Sequence, residues 1–441
     1  AVVRATVPAQ ESQYQKSIEL VQAAAESKSP IVRLADRYAV PFTVAALAIA
    51  GFGWWMSGDP VRFAQVLVVA TPCPLLIAAP VAFLAGMSRA ATSGVIVKSG
   101  GVMETLARVR TVALDKTGTI THGEPVVDLI EPVDGVDPDE LLGLAAAAET
   151  YSTHVLARSI VRAALELKLS VPAATEVEEL TAAGLSAQIE GRLTAVGNAS
   201  HVHRVTGHQV PDRPVPAGHI AIHIGTKDAY LGRILLSDQV RRNAPATLGA
   251  LHRLGVESVV MLTGDAAPTA RHIGEEIGVD DVRAALLPAG KVAEVAKLPL
   301  RPVAMVGDGV NDAPVLAAAD VGIAMGAKGA TAASESADVV IMLDDLSRVA
   351  TSVAISQRTV RVALQSIWLG IAISVVLMGI AVWGLIPAIV GAALQEVVDL
   401  AAILMALRAV RPSRAERQLI VELRSKSVEQ AASVGSLAPV H

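Results

Sequence analysis

The residues of this sequence best placed for covalent chemistry start at Asp115. It ends the apolar run Thr111-Val112-Ala113-Leu114 and is followed by Lys116-Thr117-Gly118-Thr119. A carboxylate at a strand end, with small and hydroxyl-bearing residues after it, can attack a phosphoryl group while turn N–H groups hold the phosphoryl oxygens. Two further apolar runs end in acidic turns. Ser258–Leu262 leads into Thr263-Gly264-Asp265, and Val303–Val306 into Gly307-Asp308-Gly309-Val310-Asn311-Asp312. Short strand-like runs alternate with helical patterns here, which predicts a doubly wound α/β sheet. Ligands of such sheets bind outside the carboxyl ends of the strands, so the three turns are expected in one crevice.

The elements that carry these turns occupy the middle of a strongly apolar chain. Of 441 residues 52% are apolar and 18% charged, and the mean hydropathy of +0.49 is too high for an ordinary soluble enzyme. The net charge of -5 provides no basic field, so nucleic acid is not an expected partner. One cysteine excludes a disulfide framework and a Cys-only zinc site. Ala39–Met56 runs 18 residues without a charge and Phe63–Ser88 another 26. Between Arg361 and Glu396 lie 34 uncharged residues, interrupted near Gly384–Pro387, and the apolar pattern resumes over Ala388–Leu407. A bilayer core takes about 20 apolar residues per helix, which predicts four spans in two hairpins with the lipid bilayer as a partner. Lys28, Arg33, Arg37, Arg89, Lys98, Arg358, Arg361, Arg408 and Arg411 flank the spans on one side. That bias places both termini and the middle segment in the cytoplasm.

Two groups inside the spans invite ion chemistry. Thr71-Pro72-Cys73-Pro74 holds the single cysteine between prolines that interrupt a helical ladder, and irregular backbone at membrane depth must line a cavity or lie buried in protein. In the last span Gln395 and Asp399 are spaced i, i+4 and Glu396 and Asp399 i, i+3, so all three are expected on one helix surface. An intramembrane carboxylate costs roughly 2.5–3.5 kcal/mol. Together with Cys73 they are read as an ion route of one thiolate and several oxygens, a mixed set suited to a borderline divalent first-row ion.

In their order and spacing, DKTGT at 115–119, TGD at 263–265 and GDGVNDAP at 307–314 resemble the P-type ATPases, cation pumps with a haloacid dehalogenase-like catalytic domain. The resemblance runs from about residue 30 to 410. It implies ATP and Mg²⁺ as cofactors, with Asp115 attacking the γ-phosphate. Asp308, the Asp115 carboxylate and the Thr117 carbonyl would hold Mg²⁺, while Thr263 and Lys291 would bind phosphoryl oxygens. Asn311 and Asp312 would complete the pocket. It also implies an α-helical membrane domain joined to a cytoplasmic α/β phosphorylation domain with an inserted α+β nucleotide-binding domain. The boundaries expected are actuator end and linker 1–30, membrane hairpin 31–89, phosphorylation domain 90–125 and 237–350, nucleotide-binding domain 126–236, second hairpin 351–410, and a partly helical cytoplasmic tail 411–441.

Glu149 and His154 resemble the adenine-side signature of the heavy-metal branch, with Val155 where that branch carries Pro. Gly184 resembles the end of its Gly-x-Gly stretch, with Ala182 at the first Gly, and Gly197-Asn198 resembles the remaining element. The proline-flanked cysteine and the Gln-Glu-x-x-Asp pattern are similar to a minor group linked to nickel, cobalt or iron, with zinc also open. Related soluble phosphatases carry a second Asp two residues after the nucleophile, and Thr117 stands there instead. The implied activity is therefore ATP-driven export of a divalent transition metal from a bacterium, through its plasma membrane. A membrane-anchored phosphatase and a non-catalytic metal-binding membrane protein remain as alternatives. No Thr-Gly-Glu occurs, and Ser12–Ser29 resembles the helical link out of an actuator domain. The polypeptide is accordingly expected to form phosphoenzyme but to turn over poorly.

Overall fold

The computed structural model describes residues 34–71, 73–152, 154–180, 183–216, 218–308, 312–326 and 336–434. The expected link Ser12–Ser29, Pro72, Ala182, Asn311 and the side chain of Cys73 lie outside what is described. Two compact units emerge. One holds the described residues up to Asp115, Arg242–Gly264 and those from Ile277 on, and the other holds Lys116–Arg241 and Asp265–Glu276.

The first unit begins with three apolar helices, α1 (Leu34–Ser57), α2 (Pro60–Val69) and α3 (Cys73–Thr92). Asp59 starts α2 by accepting a 2.9 Å hydrogen bond from the Val61 N–H, with Pro60 in the first turn where no N–H is needed. The second predicted span is therefore two helices. The ladder stops at Val69 and resumes at Cys73, where the flanking prolines offer no donors to continue it. Among the described residues, three helical stretches are long and apolar enough, by length and composition, to cross a membrane: Val40–Ser57, Ser347–Val382 and Ala388–Leu423. The chain then forms β1 (Val95–Val97), α4 (Gly100–Leu106) and the wholly buried strand β2 (Thr111–Asp115).

The second unit is a six-stranded antiparallel sheet in the order β3-β8-β7-β6-β5-β4. Its strands are β3 (Val126–Pro132), β4 (Ala174–Leu180), β5 (Gly184–Ile189), β6 (Arg192–Gly197), β7 (His219–Thr226) and β8 (Tyr230–Ser237). Helices α5 (Pro138–Glu149) and α6 (Val155–Glu166) cover it, and α7 (Ala199–Thr206) follows β6. Asp137 caps α5 through the Asp139 N–H at 2.8 Å, and Pro138, Asp139 and Glu140 suit a helix start. Leu141, Leu142 and Ala145–Ala148 of α5 pack against Leu185, Ala187, Ile189, Val196 and Ile234. In β5 buried and half-buried positions alternate, as a strand with one covered face requires.

Returning to the first unit, α8 (Ala244–Arg253), β9 (Ser258–Leu262), α9 (Ala267–Ile277, shared with the second unit), β10 (Asp281–Arg283), α10 (Pro288–Lys297), β11 (Val303–Gly307), α11 (Ala313–Ala318), β12 (Val321–Met325) and β13 (Val339–Ile341) complete a seven-stranded sheet. Its order is β1-β13-β12-β11-β2-β9-β10, parallel except for β1. The chain runs outward from β2 to one side through β9 and to the other through β11. The carboxyl end of β2 is thus the topological switch point where such sheets bind ligands.

From β13 the chain enters α12 (Ser347–Val382), 36 residues without a proline. Asp345 anchors its start by accepting from the Ser347 N–H at 3.0 Å and from Asn243 Nδ2 at 2.9 Å. Helix α13 (Ala388–Ala406) follows a turn at Trp383–Pro387. Last comes α14 (Arg414–Val434), opened by a reciprocal capping box in which Glu416 N–H donates to Ser413 Oγ at 3.2 Å and Ser413 N–H to Glu416 Oε2 at 3.3 Å.

Candidate active site

Register brings the acidic turns of the first unit together. Leu114 pairs with Val306 and Asp115 with Leu262 across parallel strands, so Asp115, Thr263 and Asp308 lie at the same sheet edge. The carboxylates of Asp115, Asp308 and Asp312 lie within 4.8 Å of one another. Asp115 is 5% exposed and Asp312 4%. A Cβ on Gly307 would stand 2.8 Å from Asp312 Oδ2, so a side chain there would displace that carboxylate. Thr263 is buried and held at its backbone, donating to Arg283 O at 3.0 Å and accepting from the Leu286 N–H at 3.0 Å.

Lys291 supplies the counter-charge. Its Nζ donates to Asp115 Oδ1 and lies 3.4 Å from Asp312 Oδ1. It sits in the first turn of α10, the end of a helix that disfavours a cation, so the carboxylates set its charge state. Burial works to lower the Lys291 ammonium, and Asp115 and Asp312 outweigh it and raise it. Burial, then the Asp312 charge, pushes Asp115 up to about 7 in spite of Lys291. Three carboxylates crowded in one pocket, one of them destabilised as an anion, are hard oxygen donors that could hold a divalent cation such as Mg²⁺.

In the second unit the sequence after Asp115 forms a tight turn with Gly118 at φ +71° and Thr117 extended. Arg241 donates to Gly118 O at 3.2 Å and to Thr121 O at 3.0 Å, and Thr121 Oγ1 donates to Asp238 at 2.6 Å. Lys116 pairs with Asp265 at 2.8 Å. Of these residues, Thr121, Asp238 and Arg241 lie outside the motifs singled out in the sequence.

All five expected nucleotide residues line one cavity of about 220 Å³ in the second unit: Glu149, His154, Gly184, Gly197 and Asn198. Gly184 and Gly197 are register partners at φ +144° and +153°. A Cβ on Gly184 would lie 2.6 Å from the Gly197 Cα, and one on Gly197 2.3 Å from the Ala183 carbonyl, so only glycine lets the two backbones meet. Asn198 caps α7 through the His201 N–H at 2.8 Å. His154 caps α6, its Nδ1 accepting from the Leu156 N–H at 3.3 Å, which leaves Nε2 as the protonated nitrogen of the neutral ring. Val155 is then the first helical residue, where Pro is favoured but no intrahelical partner is lost by Val. Burial, and then the Glu179 charge, pushes Glu149 up to about 7. Glu179 and Ser152 also line the cavity and are joined at 3.1 Å, two residues that spacing did not reveal.

In the apolar helices Gln395 is 5% exposed. Its Nε2 lies 3.3 Å from Asp399 Oδ1 and 3.5 Å from Thr71 O, at the break between α2 and α3. Gln395 Oε1 and Thr71 Oγ1 are buried without a hydrogen-bond partner among the described residues. Glu396 is not part of this cluster and lies on the exposed side of α13, because one residue rotates a helical position by about 100°. Helix α3 begins at Cys73.

A haloacid dehalogenase-like hydrolase family matches residues 109–320. A crystal structure of a zinc-transporting PIB-type ATPase in its E2.Pi state superposes with a TM-score of 0.80 and 31% identity, covering 92% of this chain and 68% of that one. The chain belongs to the PIB-type ATPases. Among curated relatives of this family, the cadmium, zinc and cobalt-transporting ATPase of Bacillus subtilis is 35% identical over 85% of the chain and 55% of its own length. The probable copper-exporting P-type ATPase V of Mycobacterium tuberculosis is 36% identical over 89% and 53%. The chain thus spans about half the length of the curated PIB-type ATPases it matches.

Proposed function

We propose that this chain is the catalytic and C-terminal membrane part of a pump that exports a divalent transition metal at the expense of ATP, through an aspartyl-phosphate on Asp115. The observation that supports it most is the meeting of Asp115, Asp308, Asp312 and the Lys291 ammonium at the switch point of the parallel sheet. ATP would enter by its adenine into the Glu149–His154–Gly184–Gly197–Asn198 cavity. Asp115 would attack the γ-phosphorus in line, the P–O bond to ADP would break, and the carboxylate oxygen would retain the phosphoryl group. Lys291 and Thr263 would hold its oxygens and neutralise charge that builds in the transition state. Asp115, Asp308, Asp312 and the Thr117 carbonyl would hold Mg²⁺, a role the family resemblance extends to Asn311, and when bound this ion would screen the phosphates from the carboxylates. Thr117, in place of a second Asp, gives water no general base, which favours a persistent phosphoenzyme over a phosphatase.

Cys73, Gln395 and Asp399 are the proposed cargo ligands. The buried, unpartnered Gln395 Oε1 supports this, since such an oxygen at membrane depth is costly without a cation or donor. One thiolate among oxygens suits Ni²⁺, Co²⁺, Fe²⁺ or Zn²⁺ better than Cu(I). The basic residues flanking the spans support a plasma-membrane orientation with cytoplasmic termini. Acid-stable labelling from γ-radiolabelled ATP across a panel of metals tests the whole reading. Labelling that survives Asp115→Asn would refute the nucleophile, and labelling indifferent to every metal, or to Cys73→Ala, would refute the cargo site.

A further inference from the structure

We propose that a cavity of about 400 Å³ between α12 and α14 binds the phosphate of an anionic phospholipid headgroup. Its walls include Arg358, Arg361 and Gln357 of α12, Arg253 at the end of α8, and Glu416 and Glu422 of α14.

The charges within it do not balance. Glu416 is taken by Arg89 at 3.0 Å, and Glu422 by Arg253 at 3.2 Å. Arg358 and Arg361 make no hydrogen bond or ion pair among the described residues, and the Arg358 Nε is buried without a partner. Arg361 and Arg408 both repel Arg358, and Arg358 in turn repels Arg89, while Glu416 is the one carboxylate that attracts it. Arg358 and Arg361 are spaced i, i+3 on one helix face, where like charges destabilise each other. A phosphate answers this deficit, because guanidinium groups bind its oxygens through paired, charge-assisted hydrogen bonds.

Position selects a lipid as the source of that phosphate. Arg361 is the last charged residue before 34 uncharged ones, and Arg408 and Arg411 follow the apolar part of α13. The cavity therefore sits at the depth of headgroups, on the side where anionic lipids attract basic side chains. Its far wall is α14, tied to α3 by Arg89–Glu416 and to the parallel-sheet domain by Arg253–Glu422. A bound headgroup would bring α12 and α14 together by bridging the α12 arginines and the capped start of α14.

The test uses the 441-residue chain in detergent micelles carrying either phosphatidylglycerol or phosphatidylcholine, with retained lipid counted by native mass spectrometry. Wild type is expected to keep phosphatidylglycerol and lose phosphatidylcholine. Arg358→Gln/Arg361→Gln is expected to retain at least about tenfold less, and the doubly Lys-substituted variant, which keeps charge but not the guanidinium fork, an intermediate amount. Arg411→Gln, outside the cavity, is expected to behave as wild type. Undiminished retention in the Gln variant, equal loss in Arg411→Gln, or displacement of the lipid by millimolar inorganic phosphate would overturn the proposal.

Discussion

Lys291 Nζ lies 3.4 Å from the Asp312 carboxylate while it donates to Asp115, so one ammonium group holds two like charges in a common pocket. Removing it leaves those charges uncompensated. Lys291→Ala is expected to lower phosphoenzyme formation about a hundredfold to a thousandfold, and Lys291→Arg to restore part of it. Rapid-quench labelling from ATP measures both.

The crowding of carboxylates around Asp115 has a consequence for stability. Asp115→Asn removes a buried anion that burial and Asp312 disfavour. Without divalent ions the variant is expected to melt a few degrees above wild type, as about 1 kcal/mol requires in a domain of this size. Added Mg²⁺ should raise the wild-type melting temperature and narrow the gap, and differential scanning calorimetry with and without chelator gives the comparison.

Glu149 makes the second unit sensitive to pH. Its carboxyl is raised from the ordinary 4.5 to about 7 by burial first and Glu179 second. A group raised on folding contributes stability that is complete below its unfolded pKa and is lost as pH climbs through the folded value. From about pH 5.5 to about pH 8.5 that loss amounts to about 2 kcal/mol. Glu149→Gln should flatten this dependence and stabilise the chain at the alkaline end, followed by thermal melting across that range.

The glycine pair offers a test that separates nucleotide binding from chemistry. Gly197→Ala drives a methyl to 2.3 Å from the Ala183 carbonyl and must open the β5–β6 edge of the cavity. ATP affinity is expected to fall at least about tenfold, the effect of a loss of about 1.4 kcal/mol. Labelling of Asp115 from acetyl phosphate, which needs no adenine pocket, should persist. Titration calorimetry and acid-stable labelling read the two halves.

Gln395→Leu and Asp399→Asn address the intramembrane cluster. Each removes an oxygen donor beside the α2–α3 break, and metal-stimulated labelling is expected to need about tenfold more metal ion. Glu396→Gln, on the exposed side of the same helix, should shift that requirement less.

The meeting of the acidic turns was legible because its logic is local: each acid follows an apolar strand, and parallel pairing places the ends of adjacent strands together. The five residues expected to bind nucleotide could be named one by one, yet their shared cavity rests on the meeting of Gly184 with Gly197, which depends on strand register that no spacing discloses. Glu179 and Ser152 escaped notice for a similar reason, since they reach the cavity from separate segments with no shared period. The prolines around Cys73 announced an interruption but not that the preceding helix would stop as early as Val69. Glu396 was grouped with Asp399 on i, i+3 spacing, whereas packing of α13 settled on Gln395 and Asp399. The arginines of the α12–α14 cavity looked like ordinary span-flanking charges until the fold removed their counter-ions.

Helix α12 leaves the catalytic sheet near β13 and continues without a proline through 36 residues into the apolar layer. At 1.5 Å per residue it is roughly 54 Å long. A rod of that length has no built-in joint at which to absorb a tilt, so a rotation of a few degrees at Asp345 sweeps its far tip by several ångströms. Mechanical work done at the sheet would then arrive at membrane depth as leverage, with the stiffness of one uninterrupted backbone ladder as its gearing.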